Sequence, residues 1–323
     1  MPKAHTLTRR QLVAGLAGGL ALPALAQSDK PVRFILPNAT GSGVDTIARA
    51  SQNALTKALG HPIIVDNQPG AGGVVGLQAL ARAPADGLTL GIVSNNVVIF
   101  PSVLKSVSFD MPGDFTPIAV IGYTPVVLVV NAKVPAKDAK EFIALLKAKN
   151  GDMTYASGGN GTILHLASAM FLDEAKVSAR HIPYKGVGPM INDLLGGQVD
   201  FATAALPSVQ AHLKAGTLRA IGMATAQRAA AAPEIPTFVE QGVPNYVVEA
   251  WFAVIAPKGL PPAEVQRAHD AVAAAFADAE VKDAMARQGN VISVGPADKA
   301  MPFFRSELAK YAQLVKKAGV ELQ

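Results

Sequence analysis

Two glycine-rich stretches carry the residues best suited to chemistry, Asn38-Ala39-Thr40-Gly41-Ser42-Gly43 and Ser157-Gly158-Gly159-Asn160-Gly161, the second followed by Thr162. Each follows a short β-branched run and precedes a segment whose apolar residues recur at helical spacing. The first N–H groups of a helix have no internal acceptor, and the helix dipole makes that end positive. Glycine removes the Cβ that would keep an anion from main-chain donors. Asn38, Ser42 and Asn160 add side-chain donors, and Thr162 suits the cap position of the second helix. Two such ends, brought from separate lobes to one cleft, would hold a carboxylate without a charged side chain. Ordinary strand-to-helix turns, in which Gly and Ser are common, are the competing reading, and residue type alone does not separate the two.

Other chemistry-bearing residues cluster near these loops. Asp45 opens the first helix, where a carboxylate is stabilised by the dipole; a capping role outweighs direct contact. Ser94 and Asn95, with Asn96, fall where a third cleft loop would lie, although a solvated turn fits equally. His165 has no second His, Asp or Glu at metal-binding spacing, so packing behind the loop and fixing it by hydrogen bonding is favoured over ligand contact or catalysis. Tyr184-Lys185 either presents a donor at a cleft mouth or is simply a turn. Trp251, the single tryptophan, reads as a core aromatic near a lobe crossing. No nucleophile elbow, no H-E-x-x-H and no phosphate-loop G-K pair occurs, which removes the recognisable enzyme classes. Gly70 to Gly76 is not a dinucleotide loop, because Val75 stands where the third glycine belongs. No catalytic residue, metal or cofactor is expected.

The elements that must position these loops alternate β-branched strands with helical patterns, which predicts α/β layers around mostly parallel sheets. Strands are predicted at 32–36, 62–65, 88–93, 126–130, 153–156 and 199–202. The first helix carries Ile47, Ala48, Ser51, Ala54, Leu55, Ala58 and Leu59 and stops at Gly60. The second covers 162–174, a short helical face ends at Gly196-Gly197, and the chain from Pro261 onward is helical. Ala229 to Ala232, before Pro233, reads as a loop. No long linker separates the halves, which predicts that the chain crosses between them more than once and forms a hinge.

Lys3, Arg9 and Arg10 precede an uncharged run from Leu12 to Leu25, and Ala24-Leu25-Ala26 has the form that signal peptidase cleaves. Residues 1–26 therefore read as an export signal, and Arg9-Arg10 leaves the twin-arginine and general routes both open. Removing this segment lowers the formal net charge from +5 by three, which leaves no electrostatic case for nucleic acid. Cysteine is absent, so disulfides, thiolate chemistry and an N-terminal lipid anchor are excluded.

Over nearly all its mature length the chain resembles the substrate-binding receptors of tripartite tricarboxylate transporters, the Bug family. Pro37 to Asp45 resembles the family's first ligand loop, and Asp66-Asn67-Gln68-Pro69-Gly70-Ala71-Gly72-Gly73 resembles its N-x-P-G-A-G-G turn. Tyr155 to Thr162 with His165-Leu166 resembles the second ligand loop. Pro183-Tyr184-Lys185-Gly186, then Asp193 to Asp200, then Trp251-Phe252 with Ala256-Pro257, complete the ordered set.

The resemblance implies a type II periplasmic-binding-protein (Venus flytrap) fold. Its lobes would comprise residues 27–124 plus 249–323 and residues 125–248, with a small carboxylate between them and a membrane permease as partner. The implied contacts are Asn38, Ala39, Thr40, Gly41, Ser42, Gly43, Asp45, Ser94, Asn95, Ser157, Gly158, Asn160, Gly161, Thr162, His165, Tyr184, Ala204 and Ala205. The chain departs from the family where many members carry an aspartate before Leu-Pro-Ser; here Ala204 and Ala205 precede Leu206-Pro207-Ser208. A ligand ammonium would lack a countercharge there, so a dicarboxylate or an aromatic carboxylate is favoured over an amino acid. A monomeric periplasmic receptor is the expected protein. An exported α/β enzyme acting on a carboxylate, or a receptor for a signalling sensor, is the alternative.

Overall fold

The computed structural model describes residues 30–320 and 322; the expected export signal lies outside the described residues. The chain begins β1 (Val32–Leu36), α1 (Gly43–Leu59), β2 (Ile63–Asn67), a short turn of 3-10 helix (Ala71–Gly73), α2 (Val74–Ala81), β3 (Thr89–Ser94), α3 (Asn96–Val103) and β4 (Phe115–Thr124). A second series follows: β5 (Val126–Asn131), α4 (Ala139–Lys149), β6 (Thr154–Ser157), α5 (Ile163–Ala175), β7 (Arg180–Pro183), α6 (Val187–Gly196), β8 (Phe201–Ala205), α7 (Leu206–Lys214) and β9 (Leu218–Met223). The chain ends with β10 (Ala250–Pro257), α8 (Pro262–Ala277), α9 (Ala279–Arg287), β11 (Val291–Ile292) and α10 (Ala297–Lys317).

These elements build two lobes, each around its own sheet. Among the described residues, one sheet has six strands in the order β11-β4-β10-β3-β1-β2, and the other has five in the order β7-β6-β8-β5-β9. In the first, β1 runs parallel to β2 and β3, while β10 is antiparallel to β3 and β4. In the second, β6 is parallel to β7 and β8, while β5 is antiparallel to β8 and β9. The chain passes from one sheet to the other at Pro125, between β4 and β5, and returns before β10. Two crossings without a linker are what a hinge requires.

Local sequence explains the elements that aim at the cleft. α1 buries Val44, Ile47, Ala48, Ser51, Leu55 and Leu59 on one face, the apolar stripe of an amphipathic helix. The Ser42 hydroxyl accepts from the Asp45 amide at its start, and Gly60 at φ 72° ends it. α5 starts in the same manner, with the Thr162 hydroxyl accepting from the His165 amide. β5 is buried along its whole length, as a strand covered on both faces must be. Phe142, Phe171 and Phe201 fill the core of the second lobe, with Phe142 and Phe201 edge-to-face at 5.1 Å.

The C-terminal helical region breaks where periodicity did not indicate it. Asp278 ends α8 and caps α9, its carboxylate accepting from the amides of Glu280 and Val281. α10 returns to pack against α3 and β4, with a lighter contact to α5 of the second lobe. Among the described residues, no helix is long and apolar enough to cross a membrane.

Candidate functional site

The ends of both sheets open onto one cavity, with about 770 Å³ of empty space counted out to its mouth. From the first lobe it takes Pro37, Asn38, Ala39, Ser42 and Gly43 after β1, Pro69, Gly70, Gly72 and Gly73 before α2, Ser94 and Asn96 around the end of β3, and Thr124, Ala250, Trp251 and Phe252 from β4 and β10. From the second it takes Val126, Gly158, Thr162, Ile163, Leu164, Lys185, Val187, Ala205 and Ser208. Among the described residues, Lys185 is the one ionisable side chain on this wall. The first turns of α1 and α5 both belong to it, so two positive helix ends face the cavity. Among the described residues, no protein acceptor takes the amides of Gly43, Val44 or Gly158.

The lobes already touch across this cavity. The Asn96 side-chain oxygen accepts from the Ile163 amide at 2.8 Å, and the Ser208 hydroxyl donates to the Gly41 carbonyl at 3.1 Å. Gly72 and Gly159, at φ 71° and 132°, face each other so closely that a Cβ on Gly159 would stand 3.2 Å from the Gly72 Cα. Any larger residue at either position would hold the lobes apart.

Each glycine loop rests on its own internal network. Behind the first, Asp45 is 2% exposed and accepts from the Gly41 amide, Arg49 Nε and Asn67 Nδ2. Burial opposes its charge, but these hydrogen bonds and the Arg49 guanidinium prevail and hold the carboxyl below its ordinary range. Behind the second, His165 Nδ1 accepts from the Gly161 amide at 3.3 Å. His181 Nε2 lies 2.7 Å from the Ser157 hydroxyl, and that hydroxyl also donates to the Gly159 carbonyl. The two imidazoles stack at 4.0 Å, with Tyr155 against His181 at 4.8 Å. Burial lowers His165 to about 4; burial, then repulsion from His165, lowers His181 to about 3. Burial raises Tyr155 to about 12.

Of the expected contacts, Asn38, Ala39, Ser42, Gly43, Ser94, Gly158, Thr162 and Ala205 line the cavity together. Thr40, Gly41, Asp45, Asn95, Ser157, Asn160, Gly161, His165, Tyr184 and Ala204 are not among the residues that line it. The amides of Gly41 and Gly161 are already given to Asp45 and His165, and both glycines hold left-handed turn positions at φ 80° and 73°. Asp45, Ser157 and His165 brace the loops from behind. Asn95 is buried in the core, where its side chain accepts from the Trp251 amide and donates to the Glu249 carbonyl; its neighbour Asn96 faces the ligand space instead. Ala204 is fully buried, because adjacent strand residues face opposite ways. Tyr184 donates to Asp193 at 2.7 Å, and burial and that carboxylate raise its hydroxyl to about 12.

Lys185, Ser208, Thr124 and, from the turn before α2, Pro69, Gly70, Gly72 and Gly73 belong to the cavity without having stood among the expected contacts. Lys185 was legible only within the Tyr184-Lys185 pair, read either as a donor at the cleft mouth or as a turn. Among the described residues, no group of three or more His, Cys, Asp or Glu side chains could hold a metal ion.

Residues 47–320 match the model of the tripartite tricarboxylate transporter family receptor. The chain belongs to this receptor family. Protein BugT of Bordetella pertussis is 33% identical over 98% of this chain and 99% of its own. A Rhodopseudomonas palustris protein, MatC, solved with bound malate is 27% identical, with a TM-score of 0.81 over 88% of this chain and 98% of that one. An R. palustris protein solved with adipate is 27% identical, with a TM-score of 0.88 over 92% of this chain and 100% of that one. The two-lobed α/β architecture is that of periplasmic binding proteins, and the family and these neighbours are receptors.

Proposed function

We propose that this receptor captures a small carboxylate between its lobes in the periplasm and delivers it to the permease of a tripartite membrane transporter. It acts by binding and closure, without turnover and without a cofactor, and it works as a monomer exported by removal of residues 1–26. Its lobes comprise residues 27–124 with 249–323, and residues 125–248; the chain crossings at Pro125 and before β10 support that division.

One observation carries the reading: among the described residues, the cavity between the lobes is walled by a single ionisable side chain, Lys185, and by the first turns of two helices from opposite lobes. Main-chain amides of Gly43, Val44 and Gly158 would meet the carboxylate oxygens directly, with the Lys185 ammonium closing over them. No carboxylate on the wall stands ready for a ligand ammonium, so amino acids are disfavoured. The malate and adipate held by neighbours support a carboxylate without an amino group.

Thermal melting against a panel of carboxylic acids, their primary amides and amino acids tests this. A ligand present at 100 times its dissociation constant adds about 2.7 kcal/mol of stability. At least one acid is expected to raise the melting temperature while its amide and its amino analogue do not. A shift from amides equal to that from acids, or no shift from any acid, would overturn the reading.

A further inference from the structure

Asn38 and Thr124 belong to the cavity wall, and each has a buried side-chain oxygen, Asn38 Oδ1 and Thr124 Oγ1, with no protein partner. They lie well apart along the first sheet. Asn38 follows β1 and Thr124 ends β4, and the sheet order β4-β10-β3-β1 puts three strand spacings between them, roughly 14 Å at about 4.8 Å each. Asn38 sits in the first glycine loop beside the anchoring end, on a backbone free of any ladder. Thr124 is fixed: its strand position pairs with Ala250, and a β-branched side chain has few rotamers through which to find another partner.

The surroundings of Thr124 define what it can read. Its wall neighbours Val126, Ala250 and Phe252 supply no side-chain polar atom, and Trp251 Nε1 is committed to Glu307 at 2.6 Å. A second ligand carboxylate here would be stripped of water and offered one side-chain hydroxyl and no cationic side chain among these neighbours, which is costly. A plain methyl terminus would leave the buried hydroxyl unsatisfied. An uncharged oxygen avoids both losses, since a threonine hydroxyl can donate to a carbonyl or exchange hydrogen bonds with an alcohol.

We infer that Thr124 is a specificity-determining contact, whose hydroxyl bonds an uncharged oxygen (hydroxyl or carbonyl) at the end of the ligand remote from the glycine loops. The favoured class is an elongated monocarboxylate with an apolar body and a distal alcohol or ketone. This rests on the proposed carboxylate anchorage and narrows it.

The test is isothermal titration of the full mature chain with a homologous series of ω-hydroxyalkanoates, the matching alkanoates and the matching α,ω-dicarboxylates. At the length that fits, the wild-type protein is expected to bind the hydroxy acid about tenfold tighter than the alkanoate, the scale set by one buried hydrogen bond. Thr124→Val, nearly isosteric, is expected to erase that preference while leaving alkanoate affinity within about twofold, and Thr124→Ser to retain it. Unaltered melting of the empty variants guards against a folding defect. Three results would overturn the inference alone: equal wild-type binding of hydroxy acid and alkanoate, tightest binding of the dicarboxylate, or equal weakening of all ligands by Thr124→Val. Binding of none of the three classes would overturn the carboxylate reading with it.

Discussion

The two glycine loops look alike in sequence and rest on opposite chemistry. The first, at residues 38–43, is held by a buried carboxylate that accepts from an amide, an arginine and an asparagine. The second, at residues 157–162, is held by two stacked imidazoles kept neutral by burial. A loop that must bring amides to an anion needs its other amides occupied, and a charged or a neutral acceptor serves equally. The difference lies in how each loop responds to substitution and to acid.

The largest contrast is expected on removing each brace. Asp45→Ala would leave the Gly41 amide, Asn67 and Arg49 without their shared acceptor, and a loss of about 2–3 kcal/mol is expected from urea unfolding. His165→Ala withdraws one acceptor, from Gly161, and opens space beside His181 and Tyr155, so about 1–2 kcal/mol is expected. Equal losses would erase the distinction between a hub and a single contact.

Acid should separate the loops next. His165 and His181 titrate near 6.5 when unfolded but at about 4 and about 3 when folded. As pH falls below 6.5 the unfolded chain takes up protons that the folded chain refuses, so stability present above 6.5 drains away until the folded values are reached. The Asp45 carboxyl is held below its ordinary value of 3.8. Its contribution is present above 3.8 and is lost as pH falls through the lower folded value. Melting temperature is therefore expected to decline between pH 6.5 and 4 in the wild type and less steeply in His165→Gln, whereas Asp45→Asn should change the profile only below that window. Superimposable wild-type and His165→Gln profiles would contradict the neutral histidine pair.

The smallest effect concerns Trp251, which lines the cavity yet is 1% exposed, with its ring against Phe303 and Phe304 at 5.3 and 5.2 Å. Ligand binding is expected to change its fluorescence intensity slightly without a red shift. A red shift would mean that water reaches the indole and that the first lobe rearranges around the ligand.

Both loops, their helices and the α/β alternation were legible because glycine turns, helix caps and apolar periodicity are local signals. Thr162 and Ser42 cap the helices, and the first helix keeps its expected apolar face from Ile47 to Leu59. What was illegible is phase and distance. Asn95 and Asn96, Ala204 and Ala205, and Tyr184 and Lys185 are neighbouring pairs in which the second member faces the cavity, and side-chain types do not reveal which way a strand end or turn points. The bracing of Gly161 by His165 was within reach of sequence, since four residues make one helical turn. The pairing of His165 with His181 was not, because it depends on β6 lying beside β7. Thr124 and Ser208 escaped notice for the same reason, as each reaches the cavity through tertiary assembly.

The account turns on a carboxylate being neutralised between the lobes, and titrating the strongest-binding acid into wild-type and Lys185→Met protein tests it most directly. Lys185 is solvent-exposed on one side, so screening moderates its pull. Affinity is expected to fall about three- to tenfold, with melting of the empty protein unchanged and the loss growing smaller as salt is raised. Undiminished affinity, with the same salt dependence in both proteins, would show that Lys185 takes no part in holding the ligand's charge.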